Sequence, residues 1–145
     1  MFNMPYNFCF GDIITITPAD PAAGANLSFL VPINAFIIPL SIDFLFTTSA
    51  VVATRIVSVS GYDGSDRFQV TKSQNSQAAS AAWSYHFSVN IGGAIGLAGT
   101  SEQNGVISYP MLLRQGDSII TNIVNIDAGD QISNVVIRYL QFIAE

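Results

Sequence analysis

Alternation between apolar and polar positions runs along most of the chain and predicts β-strands throughout. The clearest case is segment 81–91, where the odd-numbered residues are apolar and the even-numbered residues, apart from Ala82, are polar. A period of two is typical of a strand that buries one face and exposes the other. We therefore predict a strand with Trp83 and Tyr85 facing the core, rather than exposed for stacking on a sugar, and with His86 on the exposed face.

A second long strand is predicted for segment 36–46. Its even-numbered residues, from Phe36 to Phe46, are all apolar and predict a core face. Its odd-numbered residues include Asp43 and predict the more polar face. Pro39 falls on that polar side and has no N–H to donate, so we place it at a sheet edge or at a bulge.

The remaining strands are predicted from shorter patterns separated by turn signals. Segment 135–143 is apolar on both faces, which is typical of a central strand. Weaker alternation predicts further strands at 12–17, 27–31, 54–61, 67–71, 106–113 and 118–126. No segment keeps helical spacing over a dozen residues. The predicted fold is all-β, a single antiparallel, jelly-roll-like β-sandwich of about eight strands that occupies residues 11–145.

Two segments do not fit the sandwich pattern, and both are candidate contact surfaces. Residues 1–10 form an apolar N-terminal arm that contains Phe2, Met4, Tyr6, Phe8 and Phe10. Residues 92–105 form a glycine-rich loop with two apolar tips, Ile95 and Leu97. We predict that these seven side chains contact a subunit or a capsid. The arm either clamps a neighbouring subunit or packs on its own domain as a first strand, and both arrangements stay open.

The composition indicates a protein whose surface is shared with partners. Of 145 residues, 50% are hydrophobic and only 10% are charged, and the formal net charge is -5. These values exclude a disordered chain. The five basic residues are scattered, so we expect neither nucleic acid nor an anionic membrane as a partner. The most apolar stretch, 27–46, contains two prolines and Asp43, which argues against a membrane helix.

Few residues carry reactive chemistry. His86 is the only histidine, and serines two positions away on its strand would lie about 7 Å from it, too far for a nucleophile–base pair. Cys9 has no cysteine partner. Four aspartates fall in glycine-containing turns: Asp63, Asp66, Asp127 and Asp130. They lack the spacing of an EF-hand, so a role in turns is favoured over calcium binding. The sequence predicts no catalytic residue, no metal and no cofactor.

Turn-and-strand patterns recur at three places in the middle and C-terminal parts of the chain. Segment 127–142 has a Gly-Asp turn that leads into a final apolar strand, and segment 109–117 runs from Tyr-Pro through apolar residues to Gly-Asp. Segment 44–59 is followed by Gly-Tyr-Asp-Gly at 61–64. Together these patterns resemble small jelly-roll structural proteins of tailed-phage virions. The resemblance does not extend to the arm or to the glycine-rich loop.

The resemblance implies a non-enzymatic head decoration or cement protein. Such a protein would be made in the host cytoplasm, bind the major capsid protein at the capsid surface, and stabilise the shell through subunit contacts as a homotrimer. One alternative is a carbohydrate-binding or receptor-binding jelly-roll module of a phage tail fibre. Another is a small hydrolase that uses His86.

Overall fold

The computed structural model describes residues 11–89, 101–107 and 110–143, which form ten strands. In chain order these are β1 (Asp12–Ile16), β2 (Ser28–Leu30), β3 (Ala35–Thr47), β4 (Val57–Tyr62), β5 (Arg67–Lys72), β6 (Ala82–Ser88), β7 (Glu102–Val106), β8 (Leu113–Arg114), β9 (Ser118–Ile123) and β10 (Gln131–Ile143). Nowhere in these ranges does the chain form a helix long and apolar enough to cross a bilayer.

The strands pair as an antiparallel ribbon that folds back on itself. β1 pairs with β10, β2 with β9, β3 with β6, and β4 with β5. Additional pairing of β10 with β3 and of β9 with β4 divides the ribbon into two sheets, β1-β10-β3-β6-β7 (with β8 on β3) and β2-β9-β4-β5. Nested pairing of this kind defines a jelly roll. The predicted all-β sandwich is confirmed, with ten strands in place of about eight.

Aromatic side chains from neighbouring strands form the centre of the core. The rings of Phe44, Tyr85 and Phe87 stack with centroids 5.4–6.3 Å apart, and all three side chains are buried. The Tyr85 hydroxyl donates to Gln77 Oε1 at 3.0 Å, so this buried polar group has a hydrogen-bond partner. Trp83 is half-buried and packs against the same cluster. The prediction that Trp83 and Tyr85 face the core is confirmed.

A β-bulge divides β3 into two parts: odd-numbered side chains point into the core before it, and even-numbered side chains do so after it. Pro39 and Ser41 pair with consecutive residues of β10, so Leu40 is the extra residue between them. An extra residue turns all following side chains to the opposite face of the sheet. The predicted core face is therefore right for Ile42, Phe44 and Phe46 and wrong for Phe36, Ile38 and Leu40. The bulge at Pro39 is confirmed, although the proline ring lies on the buried side.

β6 and β7 pair in parallel, so the sandwich is not antiparallel throughout. The structure also corrects the predictions for the glycine-rich loop and for segment 106–113. β7 occupies the end of the predicted glycine-rich loop, and segment 106–113 forms no continuous strand. Parallel neighbours need a crossover of a dozen or more residues, and residues 89–101 provide that length. The sequence predicts Gly105 in a turn. In the structure it lies under the Phe87 ring, where a Cβ atom would collide.

Candidate functional site

Asp43 and His86 lie side by side on the outer face of the six-stranded sheet. They are direct partners in the β3–β6 register, and the alternation that sends Phe44 and Phe87 inward sends both of them outward. His86 Nδ1 lies 2.8 Å from Asp43 Oδ1. Because a carboxylate only accepts, Nδ1 carries the donated proton. The side chains are 42% and 35% exposed, so solvent reaches the pair.

A shallow surface depression of about 260 Å³ surrounds this pair. Phe44, Leu45, Ser84 and Asn134 line the rest of it. Asn134 has a φ of 54° and lies in a bulge of β10, so strained backbone borders the depression. Bulges of this kind often re-aim side chains beside functional sites. The depression therefore offers a carboxylate, an imidazole, a hydroxyl and an amide beside the apolar residues Phe44 and Leu45.

The geometry orients the imidazole, and among the described residues no nucleophilic side chain is hydrogen-bonded to it. With Nδ1 bonded to Asp43, the Nε2 atom of His86 is free to act as an acceptor, as in catalytic triads. However, Ser41 donates its hydroxyl to Asp43 Oδ2 at 3.1 Å, and no serine in the described ranges donates to His86. The groups present are suited to forming hydrogen bonds with a polar ligand.

A buried ion pair stands at the end of the sandwich where β4 and β10 begin. Arg55 and Asp130 are both fully buried, and Nε and Nη2 of the arginine each lie 3.0 Å from a carboxylate oxygen. The same carboxylate accepts the backbone amides of Ser49 and Asp127, each at 2.8 Å. This bidentate, four-bond arrangement satisfies both charges without water. Among the described residues, no buried side-chain polar atom lacks a partner.

The carboxylates of this cluster stay ionised because their hydrogen bonds outweigh burial. Burial alone would raise the pKa of Asp130. Bonds from the Ser49 and Asp127 amides, together with the bonds and charge of Arg55, hold that pKa below its usual 3.8. The pKa of Asp127 is lowered chiefly by the Gly129 amide and then by the Ser49 hydroxyl. Both aspartates therefore hold the adjoining loop as anions at neutral pH.

The ion pair braces the β3–β4 loop, residues 48–56. Arg55 Nη1 donates to the carbonyl oxygens of Val51 at 2.8 Å and Ala53 at 2.9 Å. With these carbonyls turned towards the guanidinium, the side chain of Val52 is left 94% exposed. The loop thus presents an apolar side chain to solvent from a fixed backbone.

Further exposed apolar residues lie in this loop and in the loop that follows β9. Val51 is also exposed, and so are Ile56 and Val124, whose backbones are joined by a 3.1 Å hydrogen bond. We call Val51, Val52, Ile56 and Val124 the apolar tip. Large exposed apolar groups on a rigid support are typical of a contact surface.

Charged residues lie at both ends of the sandwich. The end that carries the apolar tip consists of loops 17–27, 48–56, 73–81 and 124–130. Its loops contain four charged residues, of which Arg55 and Asp130 neutralise each other and Asp127 accepts from Ser49. Asp20 is the fourth. The opposite end carries Asp63, Asp66 and Asp117 together with Arg67 and Arg114, and Asp12 at the start of β1 lies at this end as well.

Three of the four turn aspartates named from the sequence, Asp63, Asp127 and Asp130, accept backbone amides of their own turns, whereas the Asp66 side chain makes no hydrogen bond within the described residues. Asp63 accepts the amides of Ser65 and Asp66, and Asp117 accepts the amide of Arg114. Within the described ranges, no group of three or more His, Cys, Asp or Glu side chains could hold a metal ion.

The predicted contact residues lie outside the described part of the chain, so that prediction stays untested. They are Phe2, Met4, Tyr6, Phe8, Phe10, Ile95 and Leu97, and Cys9 lies outside it too. Sequence reasoning missed both the Asp43–His86 pair and the Arg55–Asp130 pair. The first needed the β3–β6 register. The second had a signal, because Arg55 is the one charged residue in the run 44–62, and an isolated charge in an apolar run is typical of a buried, paired group.

Comparisons with protein-family models, curated proteins and solved structures find no match to this chain.

Proposed function

We propose that this protein is a non-enzymatic virion structural protein, a capsid decoration or cement protein that stabilises the shell through subunit contacts. The observation that carries the proposal is the apolar tip, whose loop is held by a buried ion pair at one end of the sandwich. A preformed apolar contact surface loses little conformational entropy when it is covered. The partners are the major capsid protein and further copies of this chain in a homotrimer at the capsid surface.

The fold and the composition support this role independently. Jelly rolls occur in viral capsids and in lectins. By analogy, the fold favours both a capsid role and carbohydrate binding. A chain with 10% charged residues has little means of keeping a large free surface soluble. Burial within a shell removes that difficulty, and multivalent attachment makes weak single contacts effective.

Binding to shells tests the proposal. Capsids that lack the protein are mixed with purified protein, pelleted, and heated while release of the packaged nucleic acid is followed. We expect the protein to pellet with the capsids and to raise the temperature of release. A His86→Ala variant is the matched control and should act like the wild type, because the outer-face depression has no part in this role. Capsids that neither bind the protein nor gain heat resistance would refute the proposal.

Carbohydrate or receptor binding, as in a tail-fibre module, is the second candidate, and the depression around Asp43 and His86 favours it. Its carboxylate, imidazole, hydroxyl and amide suit a polyhydroxylated ligand. Stacking on Tyr85 is excluded by its burial in the core, so hydrogen bonds would carry the affinity. A glycan array should give a signal that His86→Ala removes. An array with no signal for the wild type would eliminate this function.

A further inference from the structure

One side of the sandwich supports an inference about how copies of this chain join. We propose that the N-terminal arm, residues 1–10, of one copy adds as a strand to the free edge of β1 in a second copy. The inference rests on the proposed structural role and deepens it, because it assigns the contact between copies and leaves the apolar tip to the capsid protein.

The two sheets have four edge strands, and two of these close one side of the sandwich. The six-stranded sheet ends at β1 and β7, and the four-stranded sheet ends at β2 and β5. β5 lies against β7, where the Thr71 hydroxyl donates to the Val106 carbonyl oxygen at 2.8 Å. The Gln69 amide also donates to the Pro110 carbonyl oxygen at 3.3 Å. Hydrogen bonds between the two layers therefore close this side.

On the other side, β1 has a free edge. β1 pairs with β10 along its five residues, and no strand in the described ranges pairs with its other edge. β2 faces β10 across the sandwich, because the rings of Phe29 and Tyr139 lie 5.8 Å apart between their centroids. The unpaired backbone N–H and C=O groups along such an edge are a template for a further strand.

Apolar side chains beside this edge are incompletely covered. Ile14 and Ile16 of β1 and Phe29 of β2 pack against the core, but all three are only half-buried. We call these three residues the open seam. Ile13, on the opposite face of β1, is 66% exposed. A strand added to the free edge of β1 would cover the open seam with every second side chain.

The sequence of the arm has the pattern that such a strand needs. Its even-numbered residues are apolar or aromatic, and its odd-numbered residues include two asparagines. The even-numbered set is Phe2, Met4, Tyr6, Phe8 and Phe10. A period of two predicts a strand with one apolar face, which suits a seam that is open on one side. Pro5 lacks an N–H group, which an outermost strand tolerates. Ten extended residues span up to about 33 Å, roughly twice the length of β1.

The junction at Gly11 favours a second copy over the arm's own domain. Gly11 lies against β10, where a Cβ atom would be 2.8 Å from the Phe142 ring and 3.0 Å from the Gln141 carbonyl oxygen. The chain therefore already runs along β10 where it enters β1. Pairing with its own β1 would require a reversal within residues 7–10, Asn-Phe-Cys-Phe, which contain neither Gly nor Pro. A second copy accepts the arm without that turn, and reciprocal exchange closes into a symmetric oligomer.

Disulfide trapping tests the inference, because Cys9 is the only cysteine of the chain. Cys9 is odd-numbered, so it would lie on the outer face of the added strand, as Ile13 and Thr15 do in β1. Ile13→Cys and Thr15→Cys are oxidised separately and run on a denaturing gel without reductant. The matched control is Val106→Cys, an exposed position on the closed edge strand β7.

We expect at least one of the two β1 variants to form covalently linked chains that a reductant separates. The wild type and Val106→Cys should remain single chains, and adding Cys9→Ser to the β1 variant should abolish the linkage. A disulfide within one chain would place the arm on its own domain and overturn the inference. Absence of linkage at both β1 positions, or linkage that persists with Cys9→Ser, would overturn it as well.

Native mass provides an independent readout. Light scattering across a dilution series compares the wild type with Phe8→Asp and with Asn7→Asp, the matched control on the polar side of the arm. Phe8→Asp should weaken association on the order of a hundredfold, because each copy would bury a carboxylate against the open seam. Asn7→Asp should keep the wild-type mass, a multiple of 15.5 kDa.

A monomeric wild type, or equal dissociation by the two arm variants, would refute arm exchange. So would a Phe8→Asp oligomer that resists dilution as the wild type does. Capsid binding by a monomeric wild type would show that the structural role stands without arm exchange.

Discussion

Replacing Asp130 by asparagine tests the role of the buried ion pair most directly. The carboxylate accepts four hydrogen bonds, two from Arg55 at 3.0 Å and two from backbone amides at 2.8 Å. Asparagine keeps the shape, but its NH₂ group faces donors and the guanidinium stays buried without a counter-charge. Leaving one member of a buried pair uncompensated destabilises a protein by about 3–5 kcal/mol. That is a large part of the roughly 5–15 kcal/mol expected for a whole domain.

Urea unfolding followed by circular dichroism measures the loss. With an m-value of about 2 kcal/mol/M, the midpoint should fall by roughly 1.5–2.5 M. Asp66→Asn is the matched control, because Asp66 is exposed at the opposite end and its side chain makes no hydrogen bond within the described residues. A loss below about 1 kcal/mol for Asp130→Asn would contradict the reasoning, because burial would then carry no electrostatic penalty.

The double variant Arg55→Met with Asp130→Leu separates charge from packing. It removes both charges, so it should be less destabilised than Asp130→Asn. Recovery should be incomplete, because the amides of Ser49 and Asp127 lose their acceptor. A double variant less stable than the single one would show that Arg55 holds the loop chiefly by its own bonds to Val51 and Ala53.

Three further predictions concern pH and the core. Because the folded pKa of Asp130 lies below 3.8, its contribution is complete above that pH and is lost as the pH falls through the folded value; the urea midpoint should drop below pH 4, and by less in Asp130→Asn. Gly105→Ala should destabilise by about 1–3 kcal/mol in urea unfolding, since its Cβ would overlap the buried Phe87 ring; an unchanged midpoint would mean that the ring moves freely. Tyr85→Phe leaves Gln77 Oε1 without its donor and should cost about 1–2 kcal/mol by the same assay, whereas no loss would indicate that water replaces the hydroxyl.

The periodicity of side chains predicts the class of fold because each buried strand face must be apolar. Segment 81–91 alternates without interruption in the sequence, and the inward and outward sides of strand β6 within it are as predicted. Segment 36–46 fails halfway, at Leu40. Pro39 indicates the bulge, but residues 36–40 are all apolar, so the pattern does not show which of them turn away from the core. Strand β7 was missed because Gln-Asn-Gly is a common turn sequence, whereas here Gly105 serves close packing against Phe87.

The candidate sites needed information about contacts between distant residues. Asp43 and His86 are both recognisable as outward-facing, but their pairing depends on the β3–β6 register, which no local pattern gives. Arg55 and Asp130 lie 75 positions apart, and no local pattern links them. The exposure of the apolar tip could not be predicted from the sequence either. The pattern around Val51 and Val52 is typical of a buried strand, and their exposed position depends on the same ion pair.

The nested ribbon has a consequence for how the chain folds. β1 pairs with β10, so the first described strand remains without its neighbour until more than a hundred further residues have been made. Closing such distant pairs is slow, typically milliseconds to seconds for β-sandwiches. Until β10 is in place, β3 also lacks one flanking strand and its apolar residues stay open to other chains. Unpaired strand edges and exposed apolar residues favour aggregation, so the half-formed sandwich is most vulnerable until the C-terminal strand is in place.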